Sequence, residues 1–281
     1  MKHEFVPASS DSRLDHVGSY RRRLPVSLDR MYENALDWQH LPHLHGSSFG
    51  SIDCASAGGW GWRATVSSGD GEAAVVSDLE LRLDRDARRW ITRNLTGPNA
   101  GAEIWTHVFV VADRVLDIVV DFFVPNVSAD AREKVGRAYA KAYEVLYDED
   151  VDMMTGRQNQ LDVRLDGVDE SEVLRLDPRA LSPLPALVTM SGRRFVVDRL
   201  EAVEPNDTEW VVYPAQCPHQ LGPLDESPLH EGTVRCPWHG YVFDVRTGDC
   251  LSGSHCRLGR VPSVWESEVH VELRWLSLNR R

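Results

Sequence analysis

Four residues confine what this chain can fold into: Cys217, His219, Cys236 and His239. They stand in Gln216-Cys217-Pro218-His219-Gln220 and Arg235-Cys236-Pro237-Trp238-His239-Gly240, a C-x-H pair and a C-x-x-H pair with sixteen residues between them. Each pair is tight enough to aim one thiol and one imidazole at the same point, so the fold must bring two loops around a shared group. Tetrahedral zinc accepts such a donor set. A zinc finger, however, groups its cysteines together and its histidines together. Here each loop mixes them, which suits a two-iron cluster with thiolates on one iron and imidazoles on the other. Pro218 and Pro237 stiffen the loops, and Gly222 and Gly240 let the backbone turn closely around the group.

The surrounding pattern predicts an α+β protein of two domains. Residues 1 to about 25 read as an irregular arm, and Leu28 to His40 reads as a helix that Pro42 ends or kinks. Strands are expected at Trp60–Ser67, Ala73–Leu83, Arg88–Leu95, Glu103–Val111 and Val115–Val124, separated by Gly- and Asp-rich turns. A long helix follows over Ala129–Asp148. The reading therefore gives a first domain over 1–165, a linker over 166–182 rich in Asp, Glu, Pro and Leu, and an all-β domain over 183–281. Its strands fall at Leu187–Thr189, Arg194–Asp198, Glu209–Tyr213, Thr233–Arg235, Tyr241–Asp244 and Glu268–Trp275.

Charge and cysteine usage narrow the setting. With 281 residues and a net charge of -12, the chain repels phosphate backbones and anionic lipid, so neither nucleic acid nor a membrane is an expected partner. The longest apolar run, Val108–Val127, is broken by Asp113, Arg114, Asp117 and Asp121, and the first fifteen residues have no apolar leader core. A cytoplasmic location is expected. Five cysteines make no disulfide framework in a chain of this length; Cys54, Cys250 and Cys256 read as ordinary small side chains.

The Cys217/His219 and Cys236/His239 loops resemble those of the Rieske family, in its oxygenase rather than its respiratory form, because Gln220 and Trp238 stand where the latter carries extra cysteines. The resemblance covers residues 180 to 275. It implies a 2Fe–2S cluster with Cys217 and Cys236 on the inner iron and His219 and His239 on the outer, exposed one.

A second stretch, Asn34-x-x-Asp37-x-x-His40-x-x-x-x-His45, offers two imidazoles near a carboxylate. Two histidines and one carboxylate on one face of a metal leave positions open for O2 and substrate. The stretch resembles the mononuclear-iron motif of Rieske non-haem iron oxygenases. That resemblance implies His40 and His45 as Fe(II) ligands and Asp37 as the bridge that passes electrons from a Rieske histidine of a neighbouring subunit. It places the third ligand in the acidic run Asp148–Asp152, at Asp150, with Glu149 next. His43 competes as a ligand and fits the spacing less well.

The resemblance also implies a helix-grip, START-like catalytic domain, although here it precedes the Rieske domain, the reverse of the family's usual order. It further implies a separate ferredoxin or reductase using NAD(P)H, since the chain has no Gly-rich nucleotide fingerprint, and a head-to-tail homotrimer. The substrate would be an apolar or aromatic small molecule, with Trp60, Trp62, Trp105, Phe109, Phe122 and Phe123 as candidate lining residues. Two other readings remain open: an electron-transfer or sensor protein whose START-like domain binds a ligand without oxygen chemistry, and a binding protein with structural zinc.

Overall fold

The structure is a computed structural model that describes residues 14–68, 74–163, 167–179, 181–201, 208–253, 255–267 and 269–276. The chain forms two compact units, residues 1–158 and 159–281.

The first unit is built on one antiparallel sheet. Its strands are β1 (Leu14–Leu24), β2 (Ser51–Gly58), β3 (Gly61–Ser68), β4 (Val75–Asp84), β5 (Arg89–Asn94), β6 (Glu103–Ala112) and β7 (Val115–Pro125). They lie in the order β1-β7-β6-β5-β4-β3-β2. Along β7 burial alternates, so that Leu116, Ile118, Val120 and Phe122 face inward. Against that face lies α3 (Arg132–Asp162), which presents Val135, Tyr139, Ala140, Tyr143, Tyr147, Val151 and Met154 to a core shared with Val17, Trp62, Leu81 and Trp90. A curved sheet gripping one long helix is the helix-grip arrangement expected from the sequence.

Several expectations are corrected. Most of the irregular arm is a strand: β1 pairs with β7 from Leu14↔Pro125 to Leu24↔Leu116, while residues 1–13 lie outside the described residues. Alternation was hidden there because Arg21, Arg22 and Arg23 interrupt the apolar pattern, yet Arg22 and Arg23 find Asp148 and Asp117 as partners. Edge strand β2 was missed because its Ser, Asp, Ala and Gly residues mask the apolar period and stay mostly exposed. Helix α3 runs on to Asp162 rather than ending at Asp148, since Met153 and Met154 continue its buried face.

The first helical segment also differs. Helix α1 (Leu28–Leu36) starts at Ser27, whose side chain accepts from the Arg30 N–H, and stops at Asp37. A 3-10 turn over Trp38–His40 then leads into α2 (Leu41–Leu44). Pro42 therefore does not break a helix between His40 and His45; it sits in the first turn of α2, where a missing N–H costs nothing. The break belongs to Asp37.

The second unit is all-β. Strands β9 (Ala186–Met190), β10 (Arg193–Glu201) and β11 (Thr208–Pro214) form a sheet in the order β11-β10-β9. Strands β12 (Thr233–Arg235) and β13 (Val242–Asp244) make a hairpin. A further sheet joins β14 (Ser263–Glu266), β15 (Val271–Arg274) and β8 (Val173–Leu176). Its core gathers Leu181, Met190, Phe195, Val197, Val212, Val271, Leu273 and Trp275. The expected linker is thus not a linker throughout: Val173–Leu176 pairs with β15 from Val271↔Leu176 to Arg274↔Val173, and Leu174 and Leu176 pack on that core. Four alternating residues are too short a run to stand out among the acidic residues around them.

Candidate metal centres

In the second unit, Cys217 and His219 lie on the loop leaving β11, and Cys236 and His239 lie on the tight connection from β12 to β13. Both loops are closed by backbone hydrogen bonds, Leu221 N–H to Cys217 O at 2.9 Å and Gly240 N–H to Cys236 O at 2.9 Å. Cys217, Cys236 and His239 are buried, at 0%, 1% and 3% exposure, and His219 is half-buried. The two imidazoles stand edge to face with ring centroids 4.6 Å apart, and Tyr241 leans on His219 at 4.7 Å. The Cys217 thiol donates to Cys236. That bond, helped by His239 and backbone N–H groups, draws the Cys236 thiol down to about 5. The same bond and burial push Cys217 up. The pairing favours loss of a proton from one sulfur, and the thiolate is the form that binds a metal.

Gly222 tests whether a bulky inorganic group fits. A Cβ there would sit 2.8 Å from Cys236 Sγ and 3.1 Å from the Trp238 ring, so only glycine lets this loop pass over the sulfurs. Two buried thiols, one buried and one half-buried imidazole, and a loop that only glycine allows to lie against Cys236 fit a cluster of the Cys2His2 type.

The first unit gathers a second set. His40 comes from the 3-10 turn, His45 from the residue that ends α2, and Asp150 from α3. One ligating atom from each lies within 4.8 Å of the others, and all three residues are buried, at 3%, 1% and 8% exposure. His45 Nε2 is 3.1 Å from Asp150 Oδ1, and His40 Nε2 is 3.5 Å from the same oxygen. Asn34 Nδ2 donates to that oxygen at 2.7 Å. Burial lowers the His45 pKa, but Asp150 and Glu149 outweigh it and the net shift is upward.

Asp37 lies beside this set, with Oδ2 3.6 Å from His40 Nδ1, longer than a hydrogen bond. Glu149, the alternative third ligand, instead meets the far nitrogen of His45: Oε2 is 2.6 Å from Nδ1. His43 sits on α2 outside the cluster.

A cavity of about 110 Å³ opens onto these residues, lined by Phe49, Trp62, Leu79, Leu81, Trp90 and Tyr143 among others. Tyr143 and Tyr147, also at its wall, are raised by burial and stay protonated phenols. Of the six expected lining residues only Trp62 lines it. Phe122 is packed on Tyr139 and Tyr143 in the core, and Phe109 is 53% exposed. Trp105 and Phe123 face each other beside His107 and His16. Trp60 lines a separate polar groove with Arg63 and Arg82. Period-two counting along β6 and β7 separates inward Ile104, Thr106 and Val108 from Trp105 and Phe109, and could have made this distinction. The sequence reading also missed Asn34 as a partner of Asp150 and Glu149 as a partner of His45.

Comparison with known proteins adds the following. Residues 173–262 match the model of the Rieske [2Fe-2S] domain. A stretch of 34 residues is 53% identical to apoptosis-inducing factor 3 of Mus musculus and of Homo sapiens; it spans 12% of this chain and 6% of those proteins. Among solved structures, the chain is similar to the Zhui aromatase/cyclase from Streptomyces sp. R1128, at 13% identity and a TM-score of 0.44, over 53% of this chain and 99% of that one. It is also similar to a START superfamily protein from Mycobacterium smegmatis, at 13% identity and a TM-score of 0.39, over 51% of this chain and 97% of that one. The chain joins an N-terminal unit of one antiparallel sheet and a long helix to a C-terminal Rieske domain, whose 2Fe–2S group serves electron transfer. Among the described residues no helix is long and apolar enough to cross a membrane.

Proposed function

We propose that this protein is the oxygenase component of a Rieske non-haem iron system, acting on a small, largely apolar molecule. The observation that carries the reading is the closing of His40, His45 and Asp150 around one point, buried at the mouth of an apolar cavity. Two imidazoles and one carboxylate are the donor set of Fe(II) sites that activate O2, and a chain with a Rieske domain has one-electron reductant to deliver. Bound there, Fe(II) would supply activation of O2 for hydroxylation, dealkylation or dihydroxylation.

The chain's own residues divide the remaining work. Cys217, Cys236, His219 and His239 hold the cluster, and the more exposed His219 is the natural point of electron entry. Electrons come from a separate ferredoxin or reductase using NAD(P)H. Asp37, beside His40, bridges the two centres, across a subunit boundary in a head-to-tail trimer. Asn34 holds Asp150 by its Oδ1. Phe49, Trp62, Leu79, Leu81 and Trp90 hold the substrate and exclude water.

One observation favours a second reading, an electron-transfer or sensor protein with a non-catalytic ligand-binding domain. His45 Nε2 and Asp150 Oδ1 lie 3.1 Å apart, a pairing that two side chains can make without a metal between them. Iron and acid-labile sulfide on anaerobically purified protein separate the two. About three iron and two sulfide per chain, falling to about two and two in His40→Ala, are expected of the oxygenase. Two iron and two sulfide in the unaltered protein, with no further uptake of Fe(II), would establish the second reading instead.

A further inference from the structure

Glu149 and Asp150 are neighbours on α3, so their side chains leave the helix about 100° apart and cannot both face one cation. They clasp a single imidazole. Asp150 Oδ1 lies 3.1 Å from His45 Nε2, and Glu149 Oε2 lies 2.6 Å from His45 Nδ1. We infer that Glu149 is the positioning residue of the mononuclear site, accepting the Nδ1 proton of His45 and so turning the lone pair of Nε2 toward the metal.

A neutral imidazole has one N–H donor and one acceptor. If Nε2 carried the proton of neutral His45, the bare Nδ1 would face a carboxylate oxygen at 2.6 Å, lone pair against lone pair. The contact with Glu149 therefore selects the tautomer with hydrogen on Nδ1, the one whose Nε2 can ligate. Asp150 Oδ1 faces Nε2 at 3.1 Å on the side where a metal would bind, and a metal there leaves the Glu149 contact intact. The Glu149 side chain is 33% exposed and the Asp150 side chain 12%, so the orienting carboxylate stays partly hydrated while the ligand carboxylate is enclosed. Among the described residues His40 Nδ1 has no hydrogen-bond partner, and Asp37 Oδ2 stands 3.6 Å from it.

The inference rests on the metal-site reading above, and Co2+ tests the two separately. The full chain, with its cluster, is titrated with Co2+ and followed by the visible bands of the bound ion. Glu149→Ala is expected to weaken Co2+ binding about 10- to 100-fold, the usual cost of losing a partner behind a ligand. Glu149→Gln, whose amide oxygen still accepts from Nδ1, should recover part of the loss. Glu144→Gln, on the exposed side of the same helix, should bind as the unaltered protein does. The 15N shifts of His45 in the metal-free protein report the tautomer at high pH, a readout that simple loosening of the fold would not move. They should show Nδ1–H in the unaltered protein and a mixture in Glu149→Ala. Unchanged Co2+ affinity and an unchanged tautomer in Glu149→Ala, with binding lost in His45→Ala, would overturn the role of Glu149 while keeping the site. Failure of the unaltered chain to take up Co2+ would overturn the metal-site reading and the inference with it.

Discussion

Asp37 occupies the point where α1 stops, with its backbone N–H held by the Glu33 and Asn34 carbonyls and its side chain only 7% exposed beside His40. If it carries electrons between the centres, Asp37→Asn should keep both metals and the fold, because the two side chains are nearly the same shape. Single-turnover reduction of the mononuclear iron should then slow by orders of magnitude, and a rate near that of the unaltered protein would remove Asp37 from the path. Residues differ in how far the sequence revealed them. Cys217, His219, Cys236 and His239 were readable because two short loops leave their side chains little choice of direction. The acidic run from Asp148 to Asp152 was not, since every carboxylate there has the same chemistry. What separates Asp148, Glu149 and Asp150 is helical phase. Asp148 meets Arg22, Glu149 meets His45 from behind, and Asp150 enters the cluster.

Helix α3 lies on the sheet through two glycines. A Cβ on Gly136 would come 2.1 Å from the Val17 carbonyl oxygen, and Gly18 Cα would lie 3.3 Å from it. Backbone meets backbone there, so no side chain can swing aside. Gly136→Ala should destabilise the first unit by about 1–3 kcal/mol of overpacking, against a gain in helix propensity of about 1 kcal/mol. The melting temperature should fall by a few degrees, and Co2+ affinity should fall with it, since Asp150 rides on the same helix. An unchanged melting curve would mean that helix and strand separate easily at this point. Elements with a clean period, such as β3 to β7, were legible from the chain alone. β1, β2, β8 and β14 were not, because arginines, small polar residues or sheer shortness mask the alternation, and the partner strand decides their conformation.

At the scale of the whole molecule, the cores of the two units share no residue among those described. Loss of the cluster should therefore be felt locally. In Cys236→Ser, amide hydrogen exchange should quicken in β9 to β13 while β6 and β7 keep their protection. Equal loosening of β6 and β7 would show that the units fold as one. Within the first unit, the three proposed ligands divide unevenly along the chain: His40 and His45 come before all but one of its strands, and Asp150 comes after the last. A ribosome releasing this chain exposes two imidazoles long before the carboxylate that completes the set. The nascent protein thus holds only a partial, weak claim on any passing transition metal until the sheet has closed and α3 has docked, and selection of the ion is deferred to the last step of folding.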